Sequence, residues 1–263
     1  MDMSFYVGAL GASNCTEKLS VISNNLANVN NTAFKPKTAV FAELINYNLN
    51  DSPEAVTELQ AGAGMKLSRT YTGFDVAAIH QTGSELDYAI MEPNAFFMVE
   101  DPATGQITYT RNGHFHRGEM EDGFYLFTDA GKRVLDQNQE PLLLEVKDVE
   151  RLQAEMEEDF EAEEDDDDED DEDDDSPRVS IYTFQNPSRL MSVGNGEYVP
   201  MDEGVEATLV ENPNLAQGAV EASGTDVAKE FTRLIECQRA FSYALKMVQT
   251  SDEITNTINN LRG

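Results

Sequence analysis

Apolar positions at the two ends of the chain step alternately by four and three, while those in the middle step by two. Near the start, Met1, Phe5, Gly8, Ala12, Cys15, Leu19, Ile22, Leu26 and Val29 keep the 4,3 alternation without a break. Near the end, Val227, Phe231, Leu234, Gln238, Phe241, Leu245 and Val248 repeat it. The stripe then shifts by one, to Met247, Ser251, Ile254, Ile258 and Leu261, the drift expected of one long helix with about 3.6 residues per turn. Each stripe is a narrow helical face that has to be buried against another helix. The middle offers no helical partner, so the spacing predicts end against end, within a chain and between copies. That is the pattern of a protein that assembles.

The first helix is expected to run to Ala27 or Val29. The segment from Asn24 to Pro36 then breaks it, since Asn favours caps and turns and Pro36 cannot continue a helix. A second amphipathic piece is expected over Thr38 to Tyr47, followed by a connector from Asp51 to Gly64. From Met65 onward short aromatic and β-branched runs appear, at residues 96–99, 107–110, 124–127 and 134–135. Turn signals separate them, such as Asn112-Gly113, Asp122-Gly123 and Asp129-Ala130-Gly131, which is the mark of an antiparallel sandwich or barrel. The predicted fold class is α+β: paired N- and C-terminal helices forming a coiled-coil-like assembly domain, with an antiparallel all-β middle domain. The expected boundaries are 1–35 for the first half of the helical domain, 36–64 for the connector, 65–218 for the β domain and 219–263 for the last helix.

Charge changes the picture at one place. The formal net charge is −32. From Glu155 to Asp175, 18 of 21 residues are acidic; without them 32 acidic residues still face 18 basic ones. Nucleic acid is excluded as a partner, because phosphate binding needs clustered Lys and Arg, and an anionic membrane surface is excluded on the same ground. So dense a run of like charge repels itself, so residues 155–177 are expected to form a disordered loop interrupting the β domain. No stretch reaches the ~18 apolar residues of a membrane-spanning helix, and Asp2 stands where a cleavable signal would want positive charge.

Candidate chemistry is sparse. His114 and His116 form an H-x-H that a strand would place on one face, a possible start for a metal site, but spacing supplies no third ligand. His80 has no suggested partner. Ala61-Gly62-Ala63-Gly64 lacks the Lys-Ser/Thr of a phosphate loop. No catalytic constellation, cofactor motif or metal ligand set is expected. The two cysteines, Cys15 and Cys237, fall at similar levels if the terminal helices are antiparallel; each reads first as a small buried hydrophobe, with a disulfide as the alternative.

The ends are more specific than their periodicity. SNNLANVNNTAFK at 23–35 resembles the N-terminal signature of bacterial flagellar rod and hook proteins, NNLAN-x-x-T-x-G-[FY]-[KR]. The stretch 225–254 resembles their C-terminal helix, with Gln238-Arg239-Ala240-Phe241 for the QRAY/QRAF core and Asp252-Glu253 for its acidic pair. Between them Gln81-Thr82-Gly83, Leu86-Asp87-Tyr88-Ala89-Ile90, Phe96-Phe97, Tyr109-Thr110-Arg111-Asn112-Gly113-His114-Phe115 and Phe184-Gln185-Asn186-Pro187 follow the family's order. Two departures stand out: Ala33 replaces a glycine of the first signature, and Glu92-Pro93-Asn94-Ala95 replaces a G-x-G turn.

The resemblance implies a structural, non-enzymatic subunit of the flagellar basal body rod, proximal or distal. It implies export through the flagellar type III pathway without signal cleavage, and polymerisation into a helical tube that transmits torque and forms part of the export channel. Implied partners are other copies of the chain, other rod and hook proteins, and the export apparatus. Leu19, Ile22, Leu26 and Val29 are then expected to pack against Phe231, Leu234, Phe241 and Leu245, with Val248 continuing the stripe. Asn24, Asn25 and Asn28 would cap and turn the chain, and Gln238 and Arg239 would make polar contacts between subunits. The alternative is a β-domain binding module on a helical oligomerisation stalk, whose acidic loop binds a basic partner or cations.

Overall fold

A computed structural model describes residues 3–44, 47–48, 60–120, 123–144, 179–202 and 204–262. The acidic run lies outside the described residues, and so does the expectation that it forms a disordered loop. The chain divides into two compact units: residues 1–30, 35–73 and 225–263 form one, and residues 31–34 and 74–224 the other. The class is α+β.

The first unit is built on two long helices, α1 (Met3–Ala27) and α2 (Val227–Arg262). It also holds β1 (Lys37–Glu43), the short pair β2 (Tyr47–Asn48) and β3 (Gln60–Ala61), and β4 (Met65–Thr72). β1 and β4 form an antiparallel ribbon from Lys37↔Thr72 to Glu43↔Met65, with a bulge between Val40 and Phe41. The amphipathic piece expected from Thr38 is therefore a strand. Its seven residues, with Thr38, Val40 and Phe41 favouring a strand, are too few to fix a helical period, and β4 supplies the ladder partner. The period-two pattern beginning at Met65 likewise belongs to this unit, and the larger β unit begins at Phe74.

The second unit is antiparallel throughout its described pairings. Its strands are β5 (Ile79–Gln81), β6 (Tyr88–Ile90), β7 (Ala95–Glu100), β8 (Ile107–Thr110), β9 (Phe115–Met120), β10 (Gly123–Thr128) and β11 (Arg133–Val134). After them come β12 (Leu143–Leu144), β13 (Ile181–Thr183), β14 (Leu190–Gly194), β15 (Glu197–Pro200), β16 (Thr208–Leu209), β17 (Leu215–Gln217) and β18 (Ala219–Glu221). The main sheet runs β12-β10-β11-β7-β8-β15-β14, with β9 on β10 and with β13 joining β7 to β16. β17 pairs with β6, and β18 with β5.

β7 shows why the sequence folds this way. Its residues point alternately to two faces, and both faces are covered. Ala95, Phe97 and Val99 join a core with Ile90, Phe115, Leu126 and Ile181. Phe96 and Met98 join a second core with Phe74, Tyr109, Tyr182, Phe184 and Tyr198. Around Phe96 the rings of Phe74, Phe184 and Tyr198 meet it edge to face at 5.0, 5.7 and 5.8 Å, the arrangement that ring quadrupoles favour.

Both departures from the family pattern fall on left-handed backbone. Asn94 stands at φ 59° in the turn before β7, and asparagine tolerates that region, so the turn survives without its glycine. Ala33 stands at φ 54°, buried, its N–H donating to the Glu221 carbonyl at 2.8 Å. An alanine held there is strained. At Gly113 the constraint is space: a Cβ would come within 1.7 Å of the Tyr88 carbonyl oxygen, and the Tyr88 N–H in turn donates to the Gly113 carbonyl.

Candidate assembly site

α1 and α2 run antiparallel along a seam of small residues. Ser4 meets Ser251 across it, Oγ to Oγ at 3.0 Å. At Gly8 the helices approach closely: a Cβ there would lie 3.0 Å from Val248 and 3.3 Å from the Ala244 carbonyl. Further along, the Cys237 thiol donates to the Cys15 carbonyl at 3.1 Å. Cys15, Ile22 and Cys237 form a buried cluster with Leu19, Leu234 and Phe241 packed on it. α1 thus buries Gly8, Ala12, Cys15 and Ile22, all on its sequence-predicted stripe.

On α2 the seam is not the stripe expected. Apart from Arg233, beside Glu230, buried and half-buried positions fall at Glu230, Leu234, Cys237, Phe241, Ala244, Val248 and Ser251, which is also a 4,3 alternation. It shares Leu234, Phe241, Val248 and, after the shift, Ser251 with the expected one. Phe231 and Leu245 do not pack in the core cluster and are 48% and 41% exposed; Gln238 and Arg239 are exposed as well. The physical reason is size. A close backbone approach needs Cys, Ala and Ser at the contact, and the largest apolar residues are displaced to its flanks. A reading that follows the largest apolar residues therefore lands one helical position off.

The asparagines divide the work. Asn28 caps α1, its Nδ2 donating to the Asn24 carbonyl at 2.8 Å, while Asn24 itself is exposed. Asn25 is fully buried and does more than turn the chain. Its amide donates to the Lys37 carbonyl at 2.8 Å and accepts from the Lys37 N–H at 2.9 Å, completing the ladder where β1 begins. Thr225 Oγ1 donates to the Asn25 carbonyl at 3.3 Å, tying the start of the last helix to the end of the first. Asn14, which the spacing did not single out, donates to the Met65 carbonyl at 2.5 Å. Leu26 and Val29 are half-buried. An asparagine in the middle of an otherwise amphipathic helix was the available signal for Asn14.

Elsewhere, His114 Nδ1 lies 2.7 Å from Asp87 Oδ1, and Asp129 Oδ1 lies 4.0 and 3.9 Å from the rings of His114 and His116. Among the described residues no group of three His, Cys, Asp or Glu side chains is set to hold a metal ion. Among them, too, no helix is long and apolar enough to cross a membrane. His80 is exposed on β5.

Part of what α2 leaves uncovered is apolar. Val227, Phe231, Ile235 and Leu245 are exposed on one flank of the seam. Met247, Ile254, Ile258 and Leu261 are exposed on the other, on roughly opposite sides of a helix turning about 100° per residue. Beyond Ser251 the last eleven residues of α2 pass the level of Ser4 and extend roughly 16 Å further. Leu261 near its tip is 82% exposed.

These two helical segments are also where known proteins match. Residues 5–35 match the family model "Flagella basal body rod protein", and residues 216–261 match "Flagellar basal body rod FlgEFG protein C-terminal". The flagellar basal-body rod protein FlgG of Bacillus subtilis is 28% identical, over 98% of both chains. FlgG of Borreliella burgdorferi is 27% identical over 100% of this chain and 99% of its own. A flagellar basal-body rod protein FlgF from Mesorhizobium japonicum is 26% identical over 99% of both. With both terminal modules in order and relatives that align from end to end, the chain is similar over its whole length to the flagellar basal body rod proteins.

Proposed function

We propose that this structural rod subunit polymerises through its terminal helices into a helical tube, with coiled-coil-like contacts made between subunits as well as within one. The observation that carries the reading is the surplus of α2. Its seam with α1 is narrow, and two flanks of large apolar side chains remain in water along a helix of 36 residues. Burying a Leu, Ile or Phe side chain contributes about 1.5–3 kcal/mol, so neighbours that cover these flanks gain much from doing so. A face that meets a different face on the next copy, without closing a ring, generates a filament. In this reading Leu19, Ile22, Leu234, Phe241 and Val248 hold the helix pair. Phe231 and Leu245, with the exposed Gln238 and Arg239, face other subunits; Leu26, Val29, Asn24, Asn25 and Asn28 set the end of the first helix.

The relatives' printed names, flagellar basal-body rod protein, support a place in the basal body, and the reading extends from there. The subunit works in the flagellar basal body among other rod and hook proteins, reaches it through the flagellar type III export apparatus, and transmits torque as part of a conduit. The relatives' names do not favour a binding module whose acidic loop captures a basic partner. The test is Phe231→Asp together with Ile258→Asp, each on an exposed flank. The purified double variant should melt within about 0.5 kcal/mol of the parent, as surface changes usually do, while cells carrying it lose rods and motility. Normal motility with intact rods would sink the proposal.

A further inference from the structure

The chain has two cysteines, 222 residues apart in sequence, and both lie at one level of the helix seam. We propose that Cys15 and Cys237 are a disulfide-forming pair, a modification site at which a disulfide-class oxidant staples the first helix of a subunit to its last. The inference goes beyond the rod reading and does not rest on it.

Geometry carries it. The Cys237 thiol already donates to the main-chain carbonyl of Cys15, 3.1 Å away. Both side chains are buried in the same cluster, with Ile22 beside them and Leu19, Leu234 and Phe241 around them. A disulfide needs Cα atoms about 5.5–6 Å apart, closer than most packed helices bring their side chains. Two helical turns along the same seam, at Gly8, a Cβ would lie 3.0 Å from Val248 and 3.3 Å from the Ala244 carbonyl, so the two helices run close together. The thiols are free as they stand. If each were only a small apolar filler, nothing would require both cysteines of a 263-residue chain to share one contact.

The chemistry is two thiol–disulfide exchanges. One cysteine thiolate attacks an oxidant R–S–S–R, forming a mixed disulfide and releasing RS⁻. The other thiolate attacks the protein sulfur of that mixed disulfide, which forms the Cys15–Cys237 bond and releases a second RS⁻. Two electrons pass to the oxidant, and the two thiol protons end on the released thiolates. Burial, reinforced by the neighbouring Cys15 thiol, pushes the Cys237 thiol up from its ordinary pKa, so little thiolate exists once the helices have closed. The exchange therefore belongs to the moment of docking, while the sulfurs are still open to the oxidant.

The experiment refolds the purified full chain from denaturant with oxidised glutathione, and in parallel with dithiothreitol. The oxidised sample should lose two hydrogens by intact mass and run faster on a non-reducing gel. It should resist maleimide labelling after unfolding and melt several degrees higher, with every change reversed by reductant. Cys15→Ser and Cys237→Ser should each abolish the shift while keeping the far-ultraviolet circular dichroism of the parent, which separates loss of the bond from loss of the fold. Two free thiols per chain after oxidative refolding overturn the proposal, and so does cross-linking only between chains. Each of these results is obtained on the isolated chain, so it stands apart from anything measured on rod assembly.

Discussion

The two units of this chain settle their side chains in opposite ways. In the β unit, even a charge is folded inside and matched. Arg111 is fully buried; its Nε donates to Glu221 Oε2 at 3.0 Å, and its other nitrogens donate to the carbonyls of Glu92, Ala95 and Ile90 at 3.0, 2.7 and 3.3 Å. Glu221 in turn accepts from the Ala77 N–H at 2.6 Å. The helical unit buries Lys35 and Glu230 too, but along α2 it leaves a row of large apolar side chains outside. A self-contained body and an unfinished one share a chain, and the unfinished one carries the family's most recognisable residues. Assembly surfaces are thus identified by what the monomer fails to bury.

The largest break in this contrast should come from Arg111→Met. It strands the Glu221 carboxylate in the core and leaves three carbonyls without their donor, so the β unit should lose about 3–5 kcal/mol in a denaturant melt. Pairing it with Glu221→Gln should recover part of that, because a neutral amide still accepts from Ala77. A melt unchanged by Arg111→Met would show that the pair is decoration.

Next in size is alkaline sensitivity. Burial raises Tyr198 from 10.0 to about 12, and burial also raises Tyr109 and Tyr182. The unfolded chain loses these protons first. Stability from the neutral phenols is therefore whole below pH 10 and drains away as pH rises through 12. For Tyr198 alone the loss is about 2–3 kcal/mol. Tyr198→Phe should flatten that slope when unfolding is followed against pH.

Asn25→Ala tests the helical unit's own closure. It removes two hydrogen bonds to Lys37 and leaves those main-chain groups without their partner, for roughly 1–3 kcal/mol. The loss should register in hydrogen exchange of α1 and β1, not of β7. The smallest effect has the opposite sign. Ala33→Gly relieves the left-handed alanine and should stabilise by about 0.5 kcal/mol; a destabilisation would mean that the buried methyl matters more than the backbone angle.

Much of this was legible in the residues, for reasons that differ by region. Turn chemistry and β-branched runs located β7, β8 and β10, because each signal is local. The α1 stripe was legible because its seam residues are also its periodic ones. On α2 the signal split: apolar size pointed to Phe231 and Leu245, while contact fell on Glu230, Cys237 and Ala244. Periodicity cannot distinguish a face that pairs within a chain from one left bare beside it. Asn25 and Arg111 were visible as motif letters, but their bonds span 12 and 110 residues, and no local pattern carries such a distance.

The projecting tip of α2 gives the helical unit a direction. At one end, among the described residues, α2 alone reaches past Ser4; at the other, Asn25, Thr225 and Lys37 knot helix, helix and strand together. A body so unlike at its two ends is an arrow. In the proposed filament, copies laid in succession along a line would all point the same way, and the first to be placed would decide the heading of the rest.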